Sequence, residues 1–250
     1  MTRTALALSP HLDDAAFSCG GTLALLAAHG WQVVVATLFT ASVPDPTGFA
    51  LACQTDKGIG PEVDYMALRR EEDLAACAAL GARALHLSLP EAPHRGYDSA
   101  AALFGGVRPE DWVAPVLRDT LGYLVDQMRP GLVLAPQAIG GHADHVQLTG
   151  VFGRMAARAP VLWWRDFPYT LREGAPAEPF AGELSGLPEL TVPLAPEAAR
   201  AKRAACAAYA SQLGYQFGGP DGLDRRLADA GPVERFRRGG TVDLGLPAVA

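Results

Sequence analysis

Two short clusters of imidazole and carboxylate carry most of the chemistry this chain can offer. His11-Leu12-Asp13-Asp14 follows the apolar run Ala5-Leu6-Ala7-Leu8, and His142-Ala143-Asp144-His145 follows Gly131-Leu132-Val133-Leu134-Ala135. Neutral imidazole and carboxylate are standard ligands for a catalytic zinc, which keeps one position open for water. In an open α/β sheet, sites collect at the carboxyl ends of the strands. If a helix starts at or near the first His of each cluster, residues three apart share a face. His11 would then point with Asp14 and His142 with His145, leaving Asp13 and Asp144 for other work. A lone His or Asp at a strand end is more often a cap or a loop residue. Two such clusters in a chain with six histidines point instead to a metal hydrolase.

The elements that must position these residues alternate. Residues 4–9 read as a buried strand, 14–29 as a helix closing at Gly30, and Gln32 to Phe39 as a second buried strand. A helix over 66–80 stops at Gly81; Ala84 to Leu89 is a third strand, 112–128 a helix, 131–135 a fourth strand, and 142–157 a helix. Short continuous apolar runs suit a parallel sheet covered on both faces. The alternation predicts right-handed crossovers and a doubly wound, Rossmann-like α/β sheet, mostly parallel, with helices on both faces. The dinucleotide fingerprint G-x-G-x-x-G is absent after the first strand. Gly20-Gly21 falls inside the first helix, where close packing against the sheet or the site is the expected use. Residues 160–250 add strands at 161–164 and 189–193, a helix at 196–212, and a Gly-rich tail. The long connections 41–65 and 90–111 lie at the carboxyl edge of the sheet and are expected to cover substrate. The run Trp163-Trp164-Arg165-Asp166-Phe167-Pro168-Tyr169 reads equally as an aromatic wall for a sugar ring or as a core strand with a turn.

The 250 residues suffice for one substantial core, so a single domain over 1–250 is expected. With 49% hydrophobic and 19% charged residues the composition is that of an ordinary globular protein. A net charge of −6 gives no encouragement to a nucleic-acid partner; the Arg-dense run Arg235-Phe236-Arg237-Arg238 reads as a solvated face. Cys19, Cys53, Cys77 and Cys206 show no CxxC spacing, which argues against a thiolate zinc site and a disulfide scaffold. Cys77 and Cys206, in alanine-rich helical stretches, read as small core residues. No signal peptide and no run near the roughly 20 apolar residues of a membrane span is present, so a cytoplasmic location is expected.

Ser9-Pro10-His11-Leu12-Asp13-Asp14, followed by Ser18-Cys19-Gly20-Gly21-Thr22, resembles the amino-terminal signature of the PIG-L (LmbE-like) family of zinc-dependent N-acetylglucosaminyl deacetylases. His142-Ala143-Asp144-His145 matches the family's second motif, His-x-Asp-His. Arg69-Arg70-Glu71-Glu72 resembles its substrate-contacting arginine helix, and Ala208-Tyr209-Ala210-Ser211-Gln212 a late helix. The likeness spans about residues 4 to 150. It implies His11, Asp14 and His145 as metal ligands and Asp13 as general base. It leaves His142 as a cationic donor to the oxyanion, oriented by Asp144, and Arg69, with Arg70 as the alternative, contacting substrate from the rim. A bound zinc would lower the pKa of its water and polarise the carbonyl; two imidazoles and a carboxylate also suit ferrous iron.

The chain departs from the family at Leu12, Ala15 and Ala143, where Pro, Glu and Pro are common, and in lacking an aromatic within Gln137-Ala138-Ile139-Gly140-Gly141. Ala15 removes a carboxylate near the site and bears on substrate specificity. The implied reaction is removal of acetyl from an N-acetylglucosamine-containing small molecule or glycoconjugate. Hydrolysis of another amide or acyl group and a non-catalytic sugar-binding role are the rivals. The partner expected is that small molecule, with no nucleic acid; a homo-oligomer is left open.

Overall fold

The computed structural model describes residues 3–172, 174–241 and 243–246. Among these residues seven strands, β1 (Thr4–Ser9), β2 (Gln32–Thr37), β3 (Arg83–His86), β4 (Leu132–Pro136), β5 (Val161–Trp164), β6 (Glu189–Pro193) and β7 (Val233–Gly239), form one sheet in the order β3-β2-β1-β4-β5-β7-β6. The first five are parallel; β7 runs antiparallel to β5, and β6 antiparallel to β7. The winding goes outward from β1 through β2 and β3, then returns to β4 on its other side. That reversal between β1 and β4 is the topological switch point of a doubly wound sheet.

Among the described residues, ten α-helices surround it: α1 (Asp14–Ala28), α2 (Gly48–Thr55), α3 (Tyr65–Ala79), α4 (Ala100–Leu103), α5 (Val113–Met128), α6 (Ala143–Gly153), α7 (Ala181–Leu184), α8 (Pro196–Ala208), α9 (Ala210–Phe217) and α10 (Pro220–Ala230). Because successive strand residues face opposite ways, the central strands serve two cores. Ala5, Ala7, Val33, Val35, Leu132 and Leu134 pack with α1, α3 and α8. Leu6, Leu8, Val34, Ala36, Val133 and Ala135 pack with α5 and α6. This is why the sequence of β1, β2 and β4 is apolar without alternation. Cys77 and Cys206 are buried in the first core, and all four cysteines are free. Among the described residues no helix is long and apolar enough to cross a membrane.

The structure corrects several boundaries. The third strand ends at His86, the expected helix 142–157 runs only from Ala143 to Gly153, and 196–212 is broken at Tyr209 into α8 and α9. The connection 41–65 contains α2, and 90–111 contains a 3₁₀ turn and α4. The largest miss is the supposed Gly-rich tail, which holds α10 and the seven-residue β7. β7 is partly exposed and Arg-rich, and draws its stability from pairing with β5 and β6 rather than from an apolar run.

β7 also explains Gly20-Gly21. Helix α1 breaks at Cys19 (φ −136°, ψ 18°), freeing the amides beyond it. Glu234 of β7 accepts from Gly21 N (3.0 Å) and Thr22 N (2.7 Å), and its Oε1 takes Lys202 Nζ at 2.7 Å. A side chain at Gly21 would collide with Leu194, whose Cδ1 would lie 2.5 Å from the new Cβ. Glu234 is 3% exposed, so Glu234→Ala strands a buried ammonium and two amides. It should lower unfolding stability by about 3–5 kcal/mol, read from urea denaturation; a loss below 1 kcal/mol would mean this carboxylate does not secure the break.

Candidate active site

The two clusters meet at the switch point. After β1 the chain makes a tight turn: Ser9 Oγ donates to the His11 carbonyl (2.7 Å) and accepts from Ala15 N (3.1 Å), and Asp14 Oδ2 accepts from His11 N (2.8 Å). Asp13 caps α1 with φ 146°, a conformation that costs a non-glycine residue about 1–3 kcal/mol and is typical of functional sites. His11 therefore precedes the helix, and it meets Asp14 through this turn rather than along a helical face. After β4, Gly140 (φ +101°) and Gly141 (φ +77°) swing the chain so that His142 caps α6, with His145 in its first turn.

Asp14 Oδ2 lies 3.2 Å from His11 Nδ1 and 3.1 Å from His145 Nε2. Ligands about 2.0–2.1 Å from a tetrahedral ion stand about 3.3 Å from one another, so this spacing is that of a metal's coordination shell. The imidazoles of His11, His142 and His145 also present ligand atoms within 4.8 Å of one another. The outer partners of two of them leave lone pairs facing inward. His145 Nδ1 donates to Asp166 Oδ1 (2.9 Å), leaving Nε2 buried without a hydrogen bond. His11 Nε2 donates to Asp144 Oδ2 (2.9 Å), leaving Nδ1 towards Asp14. Carboxylates behind the imidazoles fix tautomer and orientation as in metal sites generally. The donor set fits a divalent cation.

The electrostatics agree. Burial opposes charge on both rings, yet the Asp14 and Asp144 carboxylates hold His11 well above the ordinary imidazole range, and Asp14 with Asp166 pushes His145 up to about 9. Despite its burial, Asp14 is held well below the usual carboxylate range by His145 and His11.

Asp13 is buried, its Oδ2 3.6 Å from Arg69 Nη2. Burial, opposed by Arg69 and reinforced by Asp14, pushes Asp13 up to about 7. The helix phase selects Arg69 over Arg70: Arg69 reaches Glu91 Oε1 (2.7 Å) and the Leu12 carbonyl (2.9 Å), whereas Arg70 turns away to the Thr40 carbonyl (2.7 Å) and Ser42 Oγ (3.1 Å). Arg69 is 4% exposed, which corrects its expected place on the rim. The Tyr209–Gln212 segment is tied to α3: Tyr209 donates to Asp73 (2.6 Å), Ser211 to Glu72 through N (2.7 Å) and Oγ (2.6 Å), and Gln212 to Tyr65 (2.8 Å).

Asp144 also departs from expectation. Its Oδ2 is taken by His11 and by Ala92 N (3.0 Å), and its Oδ1 by Arg95 (2.8 Å). His142 Nδ1 lies 4.0 Å from that carboxylate and accepts instead from the Asp144 amide at 3.2 Å. Asp144 thus orients His11, not His142. Nor is His142 a cation: burial, seconded by the charge on His11 and outweighing the pull of Asp144, pushes it down to about 3. With Nδ1 accepting, its proton sits on Nε2. Sequence reasoning missed Asp166, Arg95 and Glu91. Asp166, an acid just past a strand end, carried the same signal as the two clusters; Arg95 and Glu91 lay in a connection with no such mark.

A doubly wound sheet with this donor set at its switch point defines a metal-hydrolase class of α/β protein. A family model described as GlcNAc-PI de-N-acetylase (PIG-L) matches residues 6–156, and the chain belongs to the PIG-L family. It is 35% identical over 204 residues to a 2'-N-acetylparomamine deacetylase of Streptomyces fradiae, covering 73% of this chain and 67% of that one. To the 2'-N-acetylparomamine deacetylase of Niallia circulans it is 32% identical over 67% of this chain and 68% of the relative. Among solved structures, the zinc-inhibited form of teicoplanin deacetylase Orf2 superposes with a TM-score of 0.79 at 27% identity, over 94% of this chain and 97% of that chain.

Metal uptake must expel the protons on His11 and His145. Since their folded-state values are raised, affinity for a divalent ion should climb as pH rises from neutrality through about 9, where His145 gives up its proton, with protons released on binding, both measurable by calorimetry in buffers of different ionisation heat. A flat profile would exclude these imidazoles as ligands. Asp166→Ala should weaken the metal about 10–100-fold in a chelator competition while leaving the fold intact; unchanged affinity would reduce Asp166 to a packing role.

Proposed function

We propose that this chain is a zinc-dependent hydrolase that removes the N-acetyl group from an N-acetylglucosamine-containing small molecule or glycoconjugate, yielding acetate and a free amine. The observation that carries the reading is the convergence of His11 Nδ1, Asp14 Oδ2 and His145 Nε2 beside the buried carboxylate of Asp13. Membership of a deacetylase family and likeness to named deacetylases support it.

In this reading His11, Asp14 and His145 hold the ion. When bound, it supplies Lewis acidity to the amide carbonyl and to the attacking water. Asp13, poised near neutrality, accepts a proton from that water at its carboxylate and delivers it to the amine nitrogen as the C–N bond breaks. Arg69, anchored by Glu91 and the Leu12 carbonyl, keeps Asp13 aimed at the site and acts as a positioning residue. His142 donates a hydrogen bond from Nε2 to the oxygen that becomes negative in the tetrahedral adduct, and does so as a neutral imidazole. Asp144 and Asp166 hold the two ligand rings. His142 is not a fourth ligand in this assignment, because a protonated Nε2 has no lone pair to offer.

Acetate release from a panel that includes N-acetylglucosamine conjugates, 2'-N-acetylparomamine and non-sugar N-acyl amides tests the reaction and separates it from other acyl hydrolysis. Asp13→Asn should keep its metal and lose about 10²–10⁴ in turnover, whereas Asp14→Ala should lose metal first; equal metal loss in both would overturn the division of roles. His142→Ala should keep metal and lose about 10²–10³ in kcat with KM little changed. A basic limb of the pH profile should survive that substitution, since no imidazolium is involved; its disappearance would restore His142 as a cation.

A further inference from the structure

Four rings close on one another at the metal centre. Centroid separations are 5.6 Å for His142–His145, 5.8 Å for His145–Tyr169, 6.2 Å for Tyr169–Phe104 and 5.5 Å for Phe104–His142. The two imidazoles have roles in the chemistry above; the two aromatic rings have none. Phe104 ends α4 in the connection that follows β3, and it is 40% exposed. A large apolar ring left in water beside a polar catalytic centre marks a contact surface more readily than a core position.

Tyr169 is the opposite case. Its ring is largely covered, with the residue 9% exposed, while its hydroxyl has no hydrogen-bond partner among the described residues and is not sealed from solvent. The ring is pinned on purpose-built ground. The Arg172 guanidinium lies 4.3 Å from its centroid. Gly140, at φ +101°, lacks the Cβ that would stand 2.5 Å from the Tyr169 Cδ1. A phenol keeps its proton at neutral pH, so the hydroxyl is a donor. An edge-on ring wedged against His145 with a spare donor, facing an exposed ring beside His142, is a pair suited to one occupant with an apolar face and oxygen acceptors.

We propose that Phe104 and Tyr169 form the sugar subsite of this centre. Phe104 stacks on the apolar C–H face of the pyranose that carries the N-acetyl group, and the Tyr169 hydroxyl donates to an oxygen of the same residue. The proposal rests on the hydrolytic reading above and adds to it the two side chains that select a sugar. The aromatic wall foreseen for the 163–169 run is thereby narrowed to Tyr169, since Trp163 and Trp164 are core residues of β5.

Steady-state kinetics with metal-loaded enzyme on N-acetylglucosamine conjugates and 2'-N-acetylparomamine tests it. Phe104→Ala should raise KM about tenfold with kcat changed less than about threefold, and Phe104→Trp, which retains a stacking face, should restore KM. Tyr169→Phe should raise KM about two- to tenfold, the worth of one neutral hydrogen bond. Metal content should stay constant in all three. A second readout needs no turnover: calorimetric titration of glucosamine into the metal-loaded Asp13→Asn protein should show affinity falling by the same factors when either change is added. Wild-type KM and affinity in both variants, with activity present, would overturn the subsite alone. Metal-loaded wild type that releases no acetate from any N-acetylated sugar would overturn the hydrolytic reading and the subsite with it.

Discussion

The parallel pairing of β1 with β4, in the register Ala5↔Leu132, Leu6↔Val133 and Ala7↔Leu134, is the constraint on which the rest depends. It sets side by side two strand ends that are more than a hundred residues apart in the chain. Backbone hydrogen bonds and two apolar cores hold the strands level, so the turns leaving them discharge His11 and His142 at the same height. The 3.1 and 3.2 Å contacts of Asp14 with His145 and His11 are a consequence. A slip of one residue would send Leu6 and Leu8 to the wrong core and separate the imidazoles with them.

Around that point the protein has buried more negative charge than a fold would tolerate without purpose. Asp13, Asp14, Asp144 and Asp166 are each under a tenth exposed. Desolvated carboxylates are expensive unless paired, and the available cations are few. Arg69 faces Asp13 and Glu91, Arg95 is shared between Asp111 and Asp144, and the raised imidazoles His11 and His145 make up the remainder. A divalent ion is a complement that fits this pattern. It would displace the imidazole protons and leave Asp144 and Asp166 as hydrogen-bond acceptors behind the ligands. The site is thus built in layers, in which the rings of His11 and His145 are fixed by carboxylates and one of those carboxylates by a buried arginine.

The late segments of the chain have the same logic. Glu234 on β7 secures the break in α1, and the Tyr209–Gln212 segment hydrogen-bonds to α3, the helix that carries Arg69. The connection after β3 sends Glu91, Ala92, Arg95 and Phe104 to the site. Parts of the chain with no chemical motif of their own therefore decide how the motif residues stand.

By itself the sequence determined the doubly wound class and the two clusters, because fully buried parallel strands read as unbroken apolar runs and because two clusters of imidazole and carboxylate at strand ends of one chain have few other uses. It also singled out Arg69 and Asp13, though not their setting. It could not assign Asp144 to His11, since that bond joins residues from different strand ends and was decided by the β1–β4 register and by Arg95 holding the second oxygen. The neutral state of His142 followed from burial beside other imidazoles, a property of the assembled site. β7 was illegible because its stability is borrowed from β5 and β6 rather than written in its own hydrophobicity. The opposition of Phe104 and Tyr169 depended on Gly140 leaving room for a ring, and only close packing in three dimensions reveals such a vacancy.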